Sequence, residues 1–145
     1  MSIRSYYQTH MDVIAKSIPS DYSPTISEFV DLLLNCKGKI FFTGVGKNGH
    51  VAAKATSTFS SIGVSCFFID PVDSVHGDMG VINNEDILIA ISKSGNTEEL
   101  IHFLKHVEHK NCKIVSIHSN PNNQSLDYSS LDIDLRVSKE ADHLN

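Results

Sequence analysis

The chain has 145 residues and a formal net charge of −5, from 12 Lys and Arg against 17 Asp and Glu. This length suits one domain, and the acidic balance argues against a general nucleic-acid-binding protein, which needs a basic face. The longest apolar runs, such as Ile87–Ile91, are too short to span a bilayer. Residues 1–18 contain Asp12 and no long apolar core, unlike a secretory signal. We therefore expect no nucleic-acid partner and no membrane association.

Three cysteines occur without any C-x-x-C spacing: Cys36, Cys66 and Cys112. The odd count and the spacing argue against a disulfide framework and against a structural zinc site. Reduced thiols in a cytoplasmic protein are the simplest interpretation.

Two amphipathic helices are predicted before the first strand. In the first helix, apolar residues recur at steps of three and four: Ile3, Tyr7, Met11, Ile14 and Ile18. The pair Ser23-Pro24 is typical of an N-cap followed by a proline in the first turn, and Gly38 can end this second helix. We assign residues 1–36 to N-terminal helices, which either pack on the domain or reach a partner subunit, and residues 37–145 to the domain itself.

From residue 39 onward, short apolar runs alternate with helical patterns. Five runs predict strands: 40–42, 64–69, 87–91, 114–117 and 131–137. The last run alternates apolar and polar residues, which is typical of a strand with one wet face near the edge of a sheet. Alternation of strands and helices predicts an α/β fold in which a mostly parallel sheet carries helices on both faces.

The first predicted strand leads into a glycine-rich loop, Gly-Val-Gly-Lys-Asn-Gly, at residues 44–49. Glycines let a backbone approach a ligand closely, and exposed amides at a helix start favour an anion. The G-x-G-x-x-G spacing, with Asp70 at the end of the next strand, also fits a dinucleotide fold. Lys47 is unusual for a dinucleotide loop and suits a phosphorylated or oxyanionic substrate better. A tight turn without a ligand is the other alternative.

Three hydroxyls follow the third predicted strand, those of Ser92, Ser94 and Thr97, just before a helix. Together with a glycine and free helix amides they form a cradle suited to a phosphate. The alternative is ordinary helix capping by Thr97 or Asn96, which needs only one such residue. In a doubly wound sheet of order 2-1-3-4-5, the first and third strands are neighbours, so both loops open into one crevice. A second phosphate loop is not part of the dinucleotide fingerprint.

Candidate acid–base residues lie in loops at the same edge of the predicted sheet. Isomerisation of a sugar phosphate moves a proton between adjacent carbons through an enediol, for which a carboxylate is a suitable base. Glu99 follows the hydroxyl loop, Glu140 follows the fifth strand, and His76 follows the second strand. Each also has an ordinary alternative, as a solvated charge for the glutamates or a helix cap for His76.

A metal site is not expected. His102, His106 and His109 have the i, i+4, i+7 spacing seen in some metal ligands. They fall opposite the apolar stripe of their predicted helix, on an exposed face where no carboxylate completes a site.

Four motifs, in this order, resemble the sugar isomerase (SIS) domain: residues 44–50, 76–80, 89–99 and 139–141. The likeness is greatest to arabinose-5-phosphate isomerases and extends from Lys37 to the end of the chain. It implies a three-layer, doubly wound (flavodoxin-like) five-stranded parallel sheet, the SIS fold, with the sugar phosphate at the switch point.

The resemblance also implies an activity: interconversion of D-ribulose 5-phosphate and D-arabinose 5-phosphate through an enediol, with no cofactor and no metal. This reaction feeds Kdo synthesis for lipopolysaccharide or capsule. Four residues match catalytic positions of the family: Lys47, His76, Glu99 and Glu140. Six residues match substrate- and phosphate-binding positions: Gly44, Gly46, Ser92, Ser94, Gly95 and Thr97. A homo-oligomer, dimer or tetramer, with shared active sites is implied as well.

Two other functions stay open: a non-catalytic sugar-phosphate sensor on the same fold, and a dinucleotide-binding regulatory domain built on the glycine loop and Asp70. The sequence also departs from the family pattern. It ends before the helical tail and its further catalytic histidine, it lacks CBS modules, and Val72-Asp73 replaces the usual Gly-Glu. We expect either a truncated chain or an active site that lacks one wall.

Overall fold

A computed structural model describes residues 2–16 and 23–137 of the chain. The helices are α1 (Ile3–Lys16), α2 (Ser23–Leu34), α3 (Lys47–Ser61), α4 (Pro71–Ser74) and α5 (Glu98–Val107). The strands are β1 (Ile40–Thr43), β2 (Cys66–Phe68), β3 (Ile87–Ile91), β4 (Lys113–His118) and β5 (Leu131–Asp134). Short 3-10 helices span Asp78–Val81, Glu108–Lys110 and Gln124–Asp127. The two predicted N-terminal helices and the five predicted strands are confirmed, with β2 and β5 shorter than the runs that predicted them.

All the strand pairs are parallel, and the order across the sheet is β2-β1-β3-β4-β5. Ile40 of β1 aligns with Cys66 on one side and with Ile87 on the other. This order confirms the doubly wound sheet, in which β1 and β3 flank the point where the chain reverses its direction of winding. β5 lies at an edge, with Ile133 buried and Asp132 exposed, as its alternating sequence predicts.

Two apolar layers cover the sheet. One joins strand residues to α5 and contains Phe41, Leu88, Ala90, Ile114, Leu100, Phe103 and Leu104. The other joins strand residues to α3 and α2 and contains Ile40, Phe42, Ile89, Val115, Ala52, Phe29 and Leu33. Because side chains of a strand alternate between faces, neighbouring residues of β1 and β3 serve opposite layers. Burial of each large apolar side chain contributes about 1.5–3 kcal/mol, which holds helices on both faces.

The two N-terminal helices differ in their packing. α2 packs Phe29 and Leu33 against the sheet, so it covers one face of the domain. α1 leaves its apolar stripe in solvent, with Ile3 80%, Tyr7 68% and Met11 58% exposed. The boundary between residues 1–36 and 37–145 stays a prediction. Among the described residues, no helix combines the length and apolar character needed to cross a bilayer.

A buried carboxylate ties together the amino-terminal edge of the sheet. Asp86 is fully buried, and its Oδ1 accepts from the Lys39 backbone N–H at 2.7 Å while Oδ2 accepts from the Asn83 N–H at 2.8 Å. The Lys39 ammonium lies 3.9 Å from Oδ2. A Cβ on Gly38 would overlap this carboxylate, which explains the glycine before β1. These contacts fix the starts of β1 and β3 at the edge opposite the two loops.

Candidate functional site

The loops after β1 and β3 lie side by side at the carboxyl edge of the sheet. Thr43 aligns with Ala90 in the neighbouring strand. A Cβ on Gly44 would come within 2.9 Å of the Ile91 carbonyl oxygen, so the two chain segments touch where the strands end. The predicted meeting of the glycine loop (residues 44–49) and the hydroxyl loop (residues 92–97) is therefore confirmed.

Different structural features explain why glycine occupies positions 44, 46 and 49 of the glycine loop. Gly44 is buried, and a Cβ there would also crowd the Asn48 backbone at 2.9 Å. A Cβ on Gly49 would approach the Gly44 carbonyl oxygen at 2.8 Å, so this pair lets α3 pack closely on β1. Gly46 has a φ of 59° with open space around it, so conformation selects glycine there. Contact of Gly44 and Gly46 with a substrate stays a prediction.

Lys47 begins α3 directly after Gly46, and its side chain is exposed. Within residues 2–16 and 23–137, no side chain caps the start of α3. An uncapped helix start carries partial positive charge on its amides, and the lysine ammonium adds a full charge beside it. This end of the glycine loop is therefore electrostatically suited to an anion.

The hydroxyls of the hydroxyl loop form a connected group. Ser92 Oγ lies 3.1 Å from Thr97 Oγ1 and accepts from the Gly95 amide at 3.1 Å. Ser94 Oγ accepts from the Asn96 amide at 3.2 Å. Ser92 is buried, whereas Ser94 is exposed and Thr97 is half-buried. The loop thus folds around its own hydroxyls, with Gly95 at a φ of 65° making the turn.

The start of α5 has no side-chain cap from the part of the chain that the structure describes. Thr97 occupies the N-cap position, yet its hydroxyl bonds to Ser92 and not to an amide of the first turn. The Asn96 side chain is also engaged elsewhere, because its Oδ1 accepts from the Gln124 amide at 2.8 Å. Neither residue therefore performs the capping that was the alternative explanation of this sequence. The helix amides and the hydroxyls are left together at one end of α5, as a phosphate cradle requires.

His76 and Glu99 line one groove of about 490 Å³ between α4 and α5. The first two turns of α5 also contribute Glu98 and His102 to its wall. From the sequence, His102 is considered only as a metal ligand and neither residue is placed in this groove, although their spacing of four along a helix puts them on one face. Both carboxylates are exposed at the helix start, where the helix dipole stabilises them.

The predicted catalytic residues do not all line the same groove. Lys47 starts a helix that packs on one face of the sheet, whereas Glu99 lies in the first turn of the helix on the other face. Lys47 is not among the residues that line the groove of His76 and Glu99. Glu140, with the rest of the 139–141 motif, lies outside the described residues.

Asp70 is engaged in local structure. Its carboxylate caps α4 and accepts from the amides of Val72 at 2.8 Å and Asp73 at 3.3 Å. In the dinucleotide interpretation, this carboxylate instead binds a ribose hydroxyl. Because the Asp70 carboxylate caps α4, the main support for the dinucleotide interpretation is removed. The glycines do not restore it, since close packing and backbone conformation already explain them.

The other titratable groups lie away from these loops or lack converging partners. His102, His106 and His109 are exposed, and the described residues contain no cluster of three or more potential metal ligands. All three cysteines are free thiols. Burial, reinforced by the Asp86 carboxylate, raises the pKa of Cys112 to about 11 at the opposite edge of the sheet.

Buried His118 at the end of β4 is also missed by sequence reasoning. It is 1% exposed, and its Nε2 lies 3.6 Å from Asp132 Oδ2, which is too long for a hydrogen bond. Neither ring nitrogen has a hydrogen-bond partner among the described residues. The sequence offers no signal for this pair because Asp132 belongs to the next strand.

The comparison with known families identifies the domain. Residues 33–145 match the family model described as SIS domain. The chain belongs to the SIS domain family. Arabinose 5-phosphate isomerase KdsD of Francisella tularensis is 40% identical over 109 residues, which cover 75% of this chain and 33% of that protein. Arabinose 5-phosphate isomerase KpsF of Escherichia coli is 35% identical over 111 residues, which cover 77% and 35% respectively.

The SIS domain assignment extends to the three-dimensional structure. The Escherichia coli CFT073 protein c3406, solved in complex with arabinose 5-phosphate, matches with a TM-score of 0.90 at 30% identity, covering 98% of this chain and 75% of that chain. The predicted SIS fold and the likeness to arabinose-5-phosphate isomerases are therefore confirmed. The chain spans about a third of the length of the curated relatives it matches.

Proposed function

We propose that the chain carries the isomerase domain of an enzyme that interconverts D-ribulose 5-phosphate and D-arabinose 5-phosphate. The observation that carries this proposal is the hydroxyl pair of Ser92 and Thr97 beside the uncapped start of α5. Such a set of donors fits a phosphate group. The likeness to KdsD and KpsF supports a pentose phosphate as the ligand that carries this phosphate group.

The hydroxyl loop has O–H groups that can donate hydrogen bonds to a phosphate. The contact between Ser92 and Thr97 uses one of their two hydroxyl protons, so the other can be donated outward. Ser94 Oγ accepts from the Asn96 amide, which leaves its own proton for a ligand. In the proposal, Gly95 shapes this cradle through its positive φ. A phosphate accepts several such bonds at once, and each bond to a charged group is stronger than a neutral one.

The glycine loop forms the other wall of the proposed substrate site. Gly44 and Gly46 bring the backbone close to the crevice, and Lys47 supplies positive charge at the start of α3. In the proposed reaction, Lys47 stabilises the negative oxygen that develops as the enediol forms.

The proton transfer is assigned to acid–base residues beyond the phosphate cradle. A carboxylate takes the proton from C2 of arabinose 5-phosphate while an acid protonates O1, which gives the enediol. The carboxylate then delivers a proton to C1 as O2 loses its own, and ribulose 5-phosphate results. Glu99 and Glu140 are the candidate bases, and His76, which shares a groove with Glu99, carries the oxygen-bound proton. Substrate and product are isomers and the protons are returned, so the proposed reaction uses no cofactor.

The proposal includes a homo-oligomer, dimer or tetramer, with active sites completed across subunits. Lys47 and Glu99 lie in the first turns of helices on opposite faces of one sheet, so a second copy is a physical means of joining their contributions. The exposed apolar stripe of α1 supports such an association, because monomeric proteins rarely leave a large apolar surface uncovered.

A cytoplasmic location and supply of Kdo synthesis complete the proposal. The three free thiols support the location, because thiols persist in reducing compartments. The pathway rests on the resemblance to arabinose-5-phosphate isomerases alone.

A discontinuous assay of ribulose 5-phosphate conversion tests the proposed function. Wild type is expected to form arabinose 5-phosphate, and Glu99→Gln to lose about 10²–10⁴-fold in kcat if Glu99 is the base. Glu108→Gln, an exposed glutamate at the far end of α5, is the matched control and should retain full activity.

Each alternative has its own outcome in this assay. Binding of arabinose 5-phosphate without turnover by wild type would favour a sensor over an isomerase. A melting shift with NADH and none with pentose phosphates would favour the dinucleotide-binding domain. If wild type is active and Glu99→Gln keeps the same kcat, Glu140 is left as the base.

A further inference from the structure

The connection between β4 and β5 contacts the hydroxyl loop along its length. Four successive residues of that loop each accept a hydrogen bond from it. The Lys93 carbonyl accepts from the Ser119 amide at 2.9 Å, and the Ser94 carbonyl accepts from Asn120 Nδ2 at 3.1 Å. The Gly95 carbonyl accepts from the Ser125 amide at 3.0 Å, and Asn96 Oδ1 accepts from the Gln124 amide at 2.8 Å. The hydroxyl loop is thus bound to residues 119–125 at every position from 93 to 96.

These bonds orient the peptide groups of the hydroxyl loop. In a planar trans peptide, the carbonyl of one residue points opposite to the N–H of the next. Because the carbonyls of residues 93–95 bond to the connection, the N–H groups of Ser94, Gly95 and Asn96 are directed away from it. Carbonyl oxygens repel an anion and amides attract one, so this orientation favours phosphate.

Two of the oriented amides bond to hydroxyls. The Gly95 amide donates to Ser92 Oγ, and also to the Ser92 carbonyl at 3.2 Å, while the Asn96 amide donates to Ser94 Oγ. A hydroxyl that accepts a hydrogen bond becomes a stronger donor, because chained hydrogen bonds polarise one another. The connection is therefore linked to the donor strength of the serine hydroxyls through these two amides.

Asn123 holds the connection in this shape. Its Nδ2 donates to the Asn120 carbonyl at 2.5 Å, and its Oδ1 accepts from the Ser125 amide at 3.0 Å and from Ser125 Oγ at 2.5 Å. Its side-chain amide also packs on Gly95, where an added Cβ would overlap it. Ser125 is fully buried and bonds to Ser116 Oγ of β4 at 2.6 Å, which anchors the assembly to the sheet.

We propose that Asn123, together with Asn120, is a positioning residue that sets the phosphate affinity of the hydroxyl loop through residues 93–96. The proposal rests on the proposed function, since it takes the hydroxyl loop as the phosphate site. Asn120 holds the Ser94 carbonyl, and Asn123 fixes both Asn120 and the turn at Gly95.

Asn123→Ala tests the proposal, with Asn120→Ala as the second variant. Asn122→Ala is the matched control, because it makes the same change in the same loop. The Asn122 side chain is exposed and makes no hydrogen bond to the described residues. Alanine is chosen over aspartate because a new negative charge would repel phosphate by itself.

We expect Asn123→Ala to weaken binding of arabinose 5-phosphate by roughly tenfold, the scale of one lost hydrogen bond. KM for ribulose 5-phosphate should rise by a similar factor while kcat stays within about twofold. The amides of residues 94–96 should exchange with deuterium faster in Asn123→Ala than in Asn122→Ala. If Asn123→Ala does not fold, the same increases in dissociation constant and in KM are expected of Asn120→Ala, because it releases the Ser94 carbonyl directly.

The outcomes separate this inference from the proposed function. If wild type isomerises but the folded variant binds arabinose 5-phosphate with unchanged affinity, or weakens no more than Asn122→Ala, the positioning role is wrong. A loss of kcat alone also overturns it. If wild type binds arabinose 5-phosphate without converting it, and Asn123→Ala binds it more weakly, the positioning role stands and the isomerase does not. If wild type binds no sugar phosphate at all, both fail.

Discussion

Thr97→Val removes one hydroxyl from the proposed phosphate cradle while nearly preserving the volume of the side chain. In the structure, this hydroxyl bonds to Ser92 Oγ at 3.1 Å and does not cap α5. The substitution therefore distinguishes a phosphate-binding role of this threonine from a purely structural role at the start of the helix. Thr97→Ser, which keeps the hydroxyl, is the matched control.

The expected magnitudes follow from the partners of Ser92. After the substitution, Ser92 Oγ still accepts from the Gly95 amide, so this buried hydroxyl keeps one partner. The unliganded protein then loses one neutral hydrogen bond, about 1 kcal/mol. A bound phosphate loses a bond to a charged group, about 1.5–3 kcal/mol, which corresponds to roughly 10–150-fold in affinity.

Urea unfolding and calorimetric titration with arabinose 5-phosphate measure the two effects on the same samples. Thr97→Ser should resemble wild type in both, since its hydroxyl can occupy the same position. The reasoning is refuted if Thr97→Val is destabilised and yet binds arabinose 5-phosphate with unchanged affinity. That result would make Thr97 a purely structural residue.

Three further predictions concern the fold and its association. Asp86→Asn should lower the free energy of unfolding in urea by about 1–3 kcal/mol, because an amide cannot accept from both the Lys39 and Asn83 N–H groups; an unchanged midpoint would contradict it. Since burial raises the pKa of Cys112 from 9.0 to about 11, the protonated thiol is favoured in the folded state. Stability should then fall as pH rises from about 9 to about 11, and Cys112→Ala should lack this component of the pH dependence. Met11→Glu places a charge in the exposed stripe of α1 and should shift the protein to a smaller mass in sedimentation. Ser5→Glu, an exposed polar position on the opposite side of the same helix, is the control and should not shift it.

The sequence predicts the helices and strands well because hydrophobic periodicity and turn-forming residues are local properties of a sequence. The buried parallel strand β3 appears as a continuous apolar run, and β5, with one wet face at an edge of the sheet, appears as an alternating one. The switch-point rule then places the loops after β1 and β3 together without knowledge of any side-chain contact.

Individual side-chain contacts are not visible in the same way, whether they are near or far along the chain. The choice between capping and phosphate binding at Thr97 depends on its bond to Ser92, and the role of Asp70 depends on its bonds in α4. The groove that joins His76 to Glu99 depends on how α4 packs on α5. None of these contacts follows from spacing alone.

The N-terminal helices show the same limit. Both have an apolar stripe, but the packing of α2 and the exposure of α1 depend on where the sheet has room for a helix. Periodicity identifies an apolar face without identifying what covers it.

The most direct test of the central claim is a crystal structure of the protein with arabinose 5-phosphate. The account predicts the phosphate within hydrogen-bond distance of the Ser92, Ser94 or Thr97 hydroxyls and beside the first-turn amides of α5. A phosphate bound elsewhere, with these hydroxyls still bonded only to each other and to their own loop, would contradict it.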